Sequence, residues 1–339
     1  LGACERAYPA IVYLMAYMLS RIIDMQPYFD NDYFLDMYQD TRILIIIILI
    51  LIVNMIALYE LIRSCKNGNK AVKIMTSIAF CLSMPVIFTI ERANFLLMTL
   101  FFILFYIFNY DSENKTRREL ALISLAMASA LKLTPAVLGI LLLYNKQWKE
   151  AIRTVIYGLI LGMVPFLFFH GGLVNIGRMF HNAALNVQAY SSTEGTTIVA
   201  ALVAFGVNAT DGMIKIVKCI TYVIVLLLFI QCLFYKEKWE VIMAVSMVLI
   251  IAPSHSGYYC IMYLIPAAIA FLNAKEHSYS DLLILFSIIL IVMDFQCDLF
   301  EYVLNYHLAI MLILAVLLIR GFVRMYDVIK HKSDNSMAK

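Results

Sequence analysis

Charge is what this chain has least of. Only 14% of its 339 residues are Asp, Glu, Lys or Arg, against about 25% in soluble domains, which excludes an ordinary soluble globular protein. The formal net charge of +3 gives no sign of a nucleic-acid partner. Seven cysteines are scattered and never form C-x-x-C, which excludes a disulfide framework and a thiolate metal site. The six histidines lack ligand-like spacing, so no metal site is expected from them. Ser254-His255-Ser256 has no nucleophile elbow, which argues against serine-type hydrolysis. Gly171-Gly172 is a loop signal without the helix-opening pattern of a phosphate cradle. Neither a 20–50-residue repeat nor an inverted duplication is visible, which weakens a secondary-transporter reading.

What the chain does have is apolar length. It is 63% hydrophobic with a mean hydropathy of +0.86. Its apolar runs are continuous rather than alternating, so they predict helices and not barrel strands. The expected fold is all-α and polytopic, with about 11 membrane helices near residues 43–62, 71–90, 94–109, 119–134, 135–148, 151–169, 213–235, 239–253, 258–273, 279–293 and 302–320. Pro135 is expected to break the chain at the fifth of these. The segment 197–206 is too short to cross. An amphipathic helix is expected over Ile11–Ile22.

Basic residues set the orientation. With the loops after 62, 109, 148, 235 and 273 and the tail 321–339 in the cytoplasm, eighteen of the 26 Lys and Arg residues lie on that side. The opposite side then holds an outer segment 1–42, an outer loop within 170–212 and the turn Pro253–Gly257. The cytoplasmic loops are too short to hold a domain, so chemistry is expected at the extracytoplasmic face.

Two ionised motifs interrupt the apolar runs on that face: Glu91-Arg92-Ala93-Asn94 and Lys132-Leu133-Thr134-Pro135. An ionisable group in the membrane is costly and usually faces a polar cavity or a substrate. A structural account exists for each. Glu91 and Arg92 could pair locally, Lys132 could snorkel to headgroups, and Asn94 could cap the following helix. Asp30-Asn31-Asp32 has D-x-D spacing but equally reads as a solvated acidic loop.

These motifs resemble those of the polyprenol-phosphate-dependent membrane glycosyltransferases of the GT-C superfamily, and of glycosyltransferase family 87 in particular. The likeness rests on Glu91-Arg92-Ala93-Asn94 before an apolar helix and on Ala130-Leu131-Lys132-Leu133-Thr134-Pro135-Ala136. It extends through the basic turn Asn145–Ala151, the span ending Pro165–Phe169 before Gly171-Gly172, and Tyr8-Pro9 near the start. The resemblance implies a single GT-C-like transmembrane domain over 1–339. It also implies that a further membrane helix and an acidic outer loop precede Tyr8-Pro9, so the main catalytic base would stand upstream of Leu1.

The activity implied is transfer of a hexose, mannose first, from a polyprenyl-phosphate donor to a glycan or glycolipid acceptor with inversion, at a bacterial plasma membrane. No cofactor is implied, and a metal ion is left open. Such a reaction needs a carboxylate to take the acceptor proton and cations where phosphate charge develops. In that scheme Arg92 and Lys132 bind the donor phosphate. Glu91 is the catalytic candidate in this chain, and Tyr8, Asn94 and His255 line the cavity. The other reading is a lipid-linked saccharide flippase or transporter, which binds similar headgroups without chemistry.

Overall fold

The computed structural model describes residues 8–21, 41–91, 95–189, 193, 195–253, 257–293 and 305–337. Among the described residues the regular structure is helical. In chain order the α-helices are α1 (Ala10–Ser20), α2 (Thr41–Ser64), α3 (Lys70–Cys81), α4 (Met84–Glu91), α5 (Leu96–Asn109), α6 (Lys115–Leu131), α7 (Ile140–Tyr144) and α8 (Trp148–Met163). They continue as α9 (Val174–Ala189), α10 (Ile198–Ala204), α11 (Asp211–Gln231), α12 (Lys238–Ile251), α13 (Leu264–Leu272), α14 (Asp281–Met293) and α15 (Asn305–Met337). Single 3₁₀ segments occupy Thr134–Gly139, Val164–Phe168 and Tyr258–Tyr263.

Local chemistry sets the helix starts. Asn69, Asn114, Thr197 and Thr210 each accept a hydrogen bond from the backbone N–H three residues on, at 3.0–3.2 Å. Each thereby satisfies a donor the helix cannot. Glu237 and Glu240 form a reciprocal capping box at the start of α12. Breaks fall where the sequence supplies proline or a competing hydroxyl. Ser83 Oγ bonds back to Phe80 O at 2.7 Å, Pro85 lies in the first turn of α4, and α3 and α4 meet at a 44° bend. Pro135 and Pro165 each open a 3₁₀ segment.

Four described helices are long and apolar enough to cross a membrane: Thr41–Ser64, Trp148–Phe168, Asp211–Gln231 and Asn305–Lys330. The bent pair α3–α4 makes a fifth if counted as one span. Among the described residues, helical structure falls within each of the eleven runs predicted from hydropathy, but only four or five helices are long and apolar enough to cross. Several are shorter than the roughly 20 residues a straight crossing takes, such as Leu96–Asn109 at 14 and Asp281–Met293 at 13. In the segment 170–212, α9 and α10 replace what the sequence suggests is loop. The tail from 321 continues α15 to Met337.

The chain divides into two compact units. The first comprises residues 1–63, 90–136 and 148–188. Within it α6 packs against α5 on one side and α8 on the other, and its buried residues run from Ala121 to Leu131. The ion pair Arg153–Glu119 at 2.5 Å and a Tyr157–Glu119 hydrogen bond join the N-terminal halves of α6 and α8. α1 rests on α6, α8 and the 3₁₀ turn Val164–Phe168.

The second unit comprises 64–89, 137–147 and 189–339. α12 is its centre, with every residue from Trp239 to Ile251 buried, and it packs against α11, α13 and α15. Glu240, fully buried, holds Arg320 at 3.1 Å and Arg324 at 3.6 Å. Arg320 also pairs with Asp281 and lies over the Trp239 ring at 5.2 Å. One guanidinium thus ties α12, α14 and α15 together.

Between α11 and α15, Gln231 donates to Leu318 O at 3.1 Å, and Tyr235 Oη donates to Leu317 O at 3.0 Å. Gly321 lies so close that a Cβ there would stand 2.2 Å from Gln231 Cδ.

Candidate active site

The hairpin of α5 and α6 fixes the level of the sequence-selected residues in the first unit. Five residues, 110–114, connect the two helices. They pack along their length, which over so short a link requires an antiparallel pair. Leu96, at the start of α5, and Leu131, at the end of α6, therefore share one end of the hairpin.

Lys132 is at that end. It is the C-cap of α6, with extended backbone at φ −149° and ψ 121°, and its N–H still donates to Ala128 O at 3.0 Å. A cation there complements the negative end of the helix dipole. Its side chain is half-buried, Leu133 is exposed and Pro135 is buried at the start of the 3₁₀ segment. The proline expectation therefore holds: α6 stops and the backbone turns beside the lysine.

Glu91 is the last residue of α4 and is exposed. Only five peptide steps separate it from Leu96, a reach of at most about 17 Å. It is thereby tethered to the same end of the hairpin as Lys132. Arg92, Asn94 and His255 lie outside the described residues, as do the D-x-D aspartates.

Tyr8 enters this end by another route. α6 and α8 meet through Glu119 and Arg153, four and five residues into their respective helices, and pack along their length. They therefore run parallel. Lys132 is about 20 Å along α6 from Glu119, and Val164 about 17 Å along α8 from Arg153. The Val164–Phe168 turn against which α1 rests is thus at the lysine end. Tyr8 stands just before α1, exposed, its N–H donating to Tyr13 Oη at 3.3 Å. The first unit accordingly has a fastened end, with Glu119, Arg153 and Tyr157, and an opposite end with Glu91, Lys132 and the α1 helix.

In the second unit Pro253 lines a shallow hollow with Lys218, Tyr222, Thr197 and Thr221. Lys218 sits two turns into α11, three residues beyond Lys215. That hollow was not singled out from sequence, although a lysine two turns into a membrane helix was the available signal. The Glu119–Arg153 and Glu240–Arg320–Asp281 clusters were also missed. Their signal was acids at predicted helix starts on the side rich in basic residues.

Among the described residues no group of three His, Cys, Asp or Glu could hold a metal ion. The cysteines offer no nucleophile at Cys65, where burial pushes the thiol up to about 11 and keeps it protonated at neutral pH.

Helices that bury polar clusters inside while exposing apolar faces outside define the class: a polytopic helical membrane protein. The model of glycosyltransferase family 87 matches residues 35–254, well over half of the chain. The chain belongs to that family and is a glycosyltransferase, which decides between transfer and simple transport of a saccharide. No curated protein and no solved structure matches it.

Proposed function

We propose that the protein transfers a hexose, mannose as the first candidate, from a polyprenyl-phosphate carrier to a hydroxyl of a glycan or glycolipid. The reaction occurs at the extracytoplasmic face of a bacterial plasma membrane. The acceptor oxygen attacks the anomeric carbon from the face opposite the phosphate, so the C1–O bond to phosphate breaks as the new C1–O bond forms and configuration inverts. The acceptor proton passes to a carboxylate, and the carrier leaves as a lipid phosphate. Lys132 and Arg92 offset the charge that develops on the departing phosphate, lysine as a point charge and arginine as a fork. Glu91 orients Arg92 or the acceptor.

What supports this reading is the place of Lys132 at one end of the α5–α6 hairpin, with Glu91 tethered by the chain within about 17 Å of that end. Ion pairs fasten the opposite end of the same unit, where α6 and α8 begin. The test supplies labelled polyprenyl-phosphate mannose to membranes holding the full-length protein, Arg92→Ala or Lys132→Ala. Each substitution is expected to lower the transfer rate about 100-fold with protein levels unchanged. Unchanged transfer in both variants would remove these residues from the site.

A further inference from the structure

The helix α9 has no assigned part in this scheme, and its position suggests one. It begins at Val174, six residues after Phe168 ends the candidate span Trp148–Phe168. Gly171 and Gly172, at φ +97° and +52°, turn the chain between them, a conformation that suits glycine. Asn175 then fixes the turn, its Nδ2 donating to His170 O at 3.1 Å and its Oδ1 accepting from Arg178 at 3.1 Å. Backbone bonds from Gly172 N–H to Phe169 O at 2.9 Å and from Val174 N–H to Gly171 O at 3.2 Å keep the connection tight, so α9 starts near the level where a membrane helix has just ended.

Its sequence, VNIGRMFHNAALNVQA, divides into two faces at 100° per residue. Ile176, Met179, Phe180 and Ala183 share one face, and Asn175, Arg178, His181 and Asn182 share the other together with Val174 and Leu185. The apolar face is not consumed by packing: Phe180 is 53% exposed. From His170 to Ala189 there is one arginine, two histidines and no acidic residue. The polar face therefore repels no anion. α9 is not among the helices apolar enough to cross.

We propose that α9 lies flat in the bilayer interface where α8 ends, its occupant being the headgroup region of an anionic lipid surface. Phe180 and Met179 insert below the phosphates, and Arg178 and His181 stay at phosphate level. The proposal stands independently of which lipid carries the sugar. It gives the enzyme a surface on which an anionic carrier headgroup is held at the height of the helix ends that Lys132 and Val164–Phe168 occupy.

The test places a photoreactive benzoylphenylalanine at position 180, 182 or 159 of the full chain, reconstituted in nanodiscs of phosphatidylcholine with 30% phosphatidylglycerol. Leu159, 51% exposed on α8, reports correct insertion. Lipid adducts are expected at 180 at a level comparable to 159, and at least fivefold fewer at 182. Position 179 reads the same face should the 180 variant fail to insert. Equal labelling at 180 and 182 would overturn the proposal. So would its absence from the apolar face in samples where 159 labels, or cross-linking of 180 to the chain itself.

Discussion

Two helices of similar hydropathy lead opposite lives in this molecule. α2 is a 24-residue run of isoleucine and leucine of which only 17% of the most apolar stretch is buried. α12 buries every residue from Trp239 to Ile251. Their compositions differ in kind. α2 carries Ile45 to Ile52 almost without interruption, large branched chains that suit lipid tails. α12 includes Ala244, Ser246 and Glu240, small and polar groups that let neighbouring helices approach and bind. Where the surrounding solvent is itself apolar, hydrophobicity does not choose the buried helix. Close packing and polar ties do.

The strongest way to break that contrast is to cut the tie. Glu240→Ala leaves Arg320 and Arg324 without their common acceptor in a site where Arg320 is only 12% exposed. A loss of about 3 kcal/mol is expected, read as a lowered unfolding midpoint in detergent or nanodiscs. A midpoint within error of the parent would show that α12 is held by packing alone.

A pair of substitutions sharpens the comparison next. Ala244→Leu adds volume at a fully buried position and is expected to cost about 1–3 kcal/mol. Leu51→Ala on α2, where the residue is 52% exposed, should change stability by less than about 0.5 kcal/mol. Equal effects would mean that α2 has a protein partner on that face.

The smallest effect belongs to the polar tie of the first unit. Glu119→Gln weakens contacts to Arg153 and Tyr157, but the Arg153 and Glu119 side chains are 40% and 32% exposed. After screening, about 0.5 kcal/mol is expected, measured against the Glu240 variant on the same instrument. A loss as large as that of Glu240→Ala would show that this pair lies deeper than its exposure indicates.

Much of the helix order was legible because apolar run length and proline are local signals. The end of α6 at Leu131 and the broken segment after Pro135 follow from residues within one turn of each break. The burial of α12 was not legible, since lipid and protein interior favour the same side chains. Nor was the Arg320 cluster, whose partners Glu240 and Asp281 lie 80 and 39 positions away. Of the candidate site, Lys132 as an ionised group at a helix end was readable from Ala-Leu-Lys-x-x-Pro alone. That the chain tethers Glu91 within about 17 Å of the same end required the hairpin. α9 reads as loop because a glycine pair precedes it and its polarity is mixed, until the period of its apolar residues is counted.

The glycine at 321 has a consequence for how the long final helix is held. With a hydrogen in place of a side chain, its backbone comes near enough for Gln231 and Tyr235 to donate hydrogen bonds to carbonyls already engaged in α15's own ladder. Such doubly occupied oxygens act like rivets through two plates: α15 cannot slide by a turn or roll about its axis without stranding both donors in a dry interior. An alanine there would put its Cβ where Gln231 Cδ stands, so the glutamine side chain would have to swing away and its bond to Leu318 O would be lost.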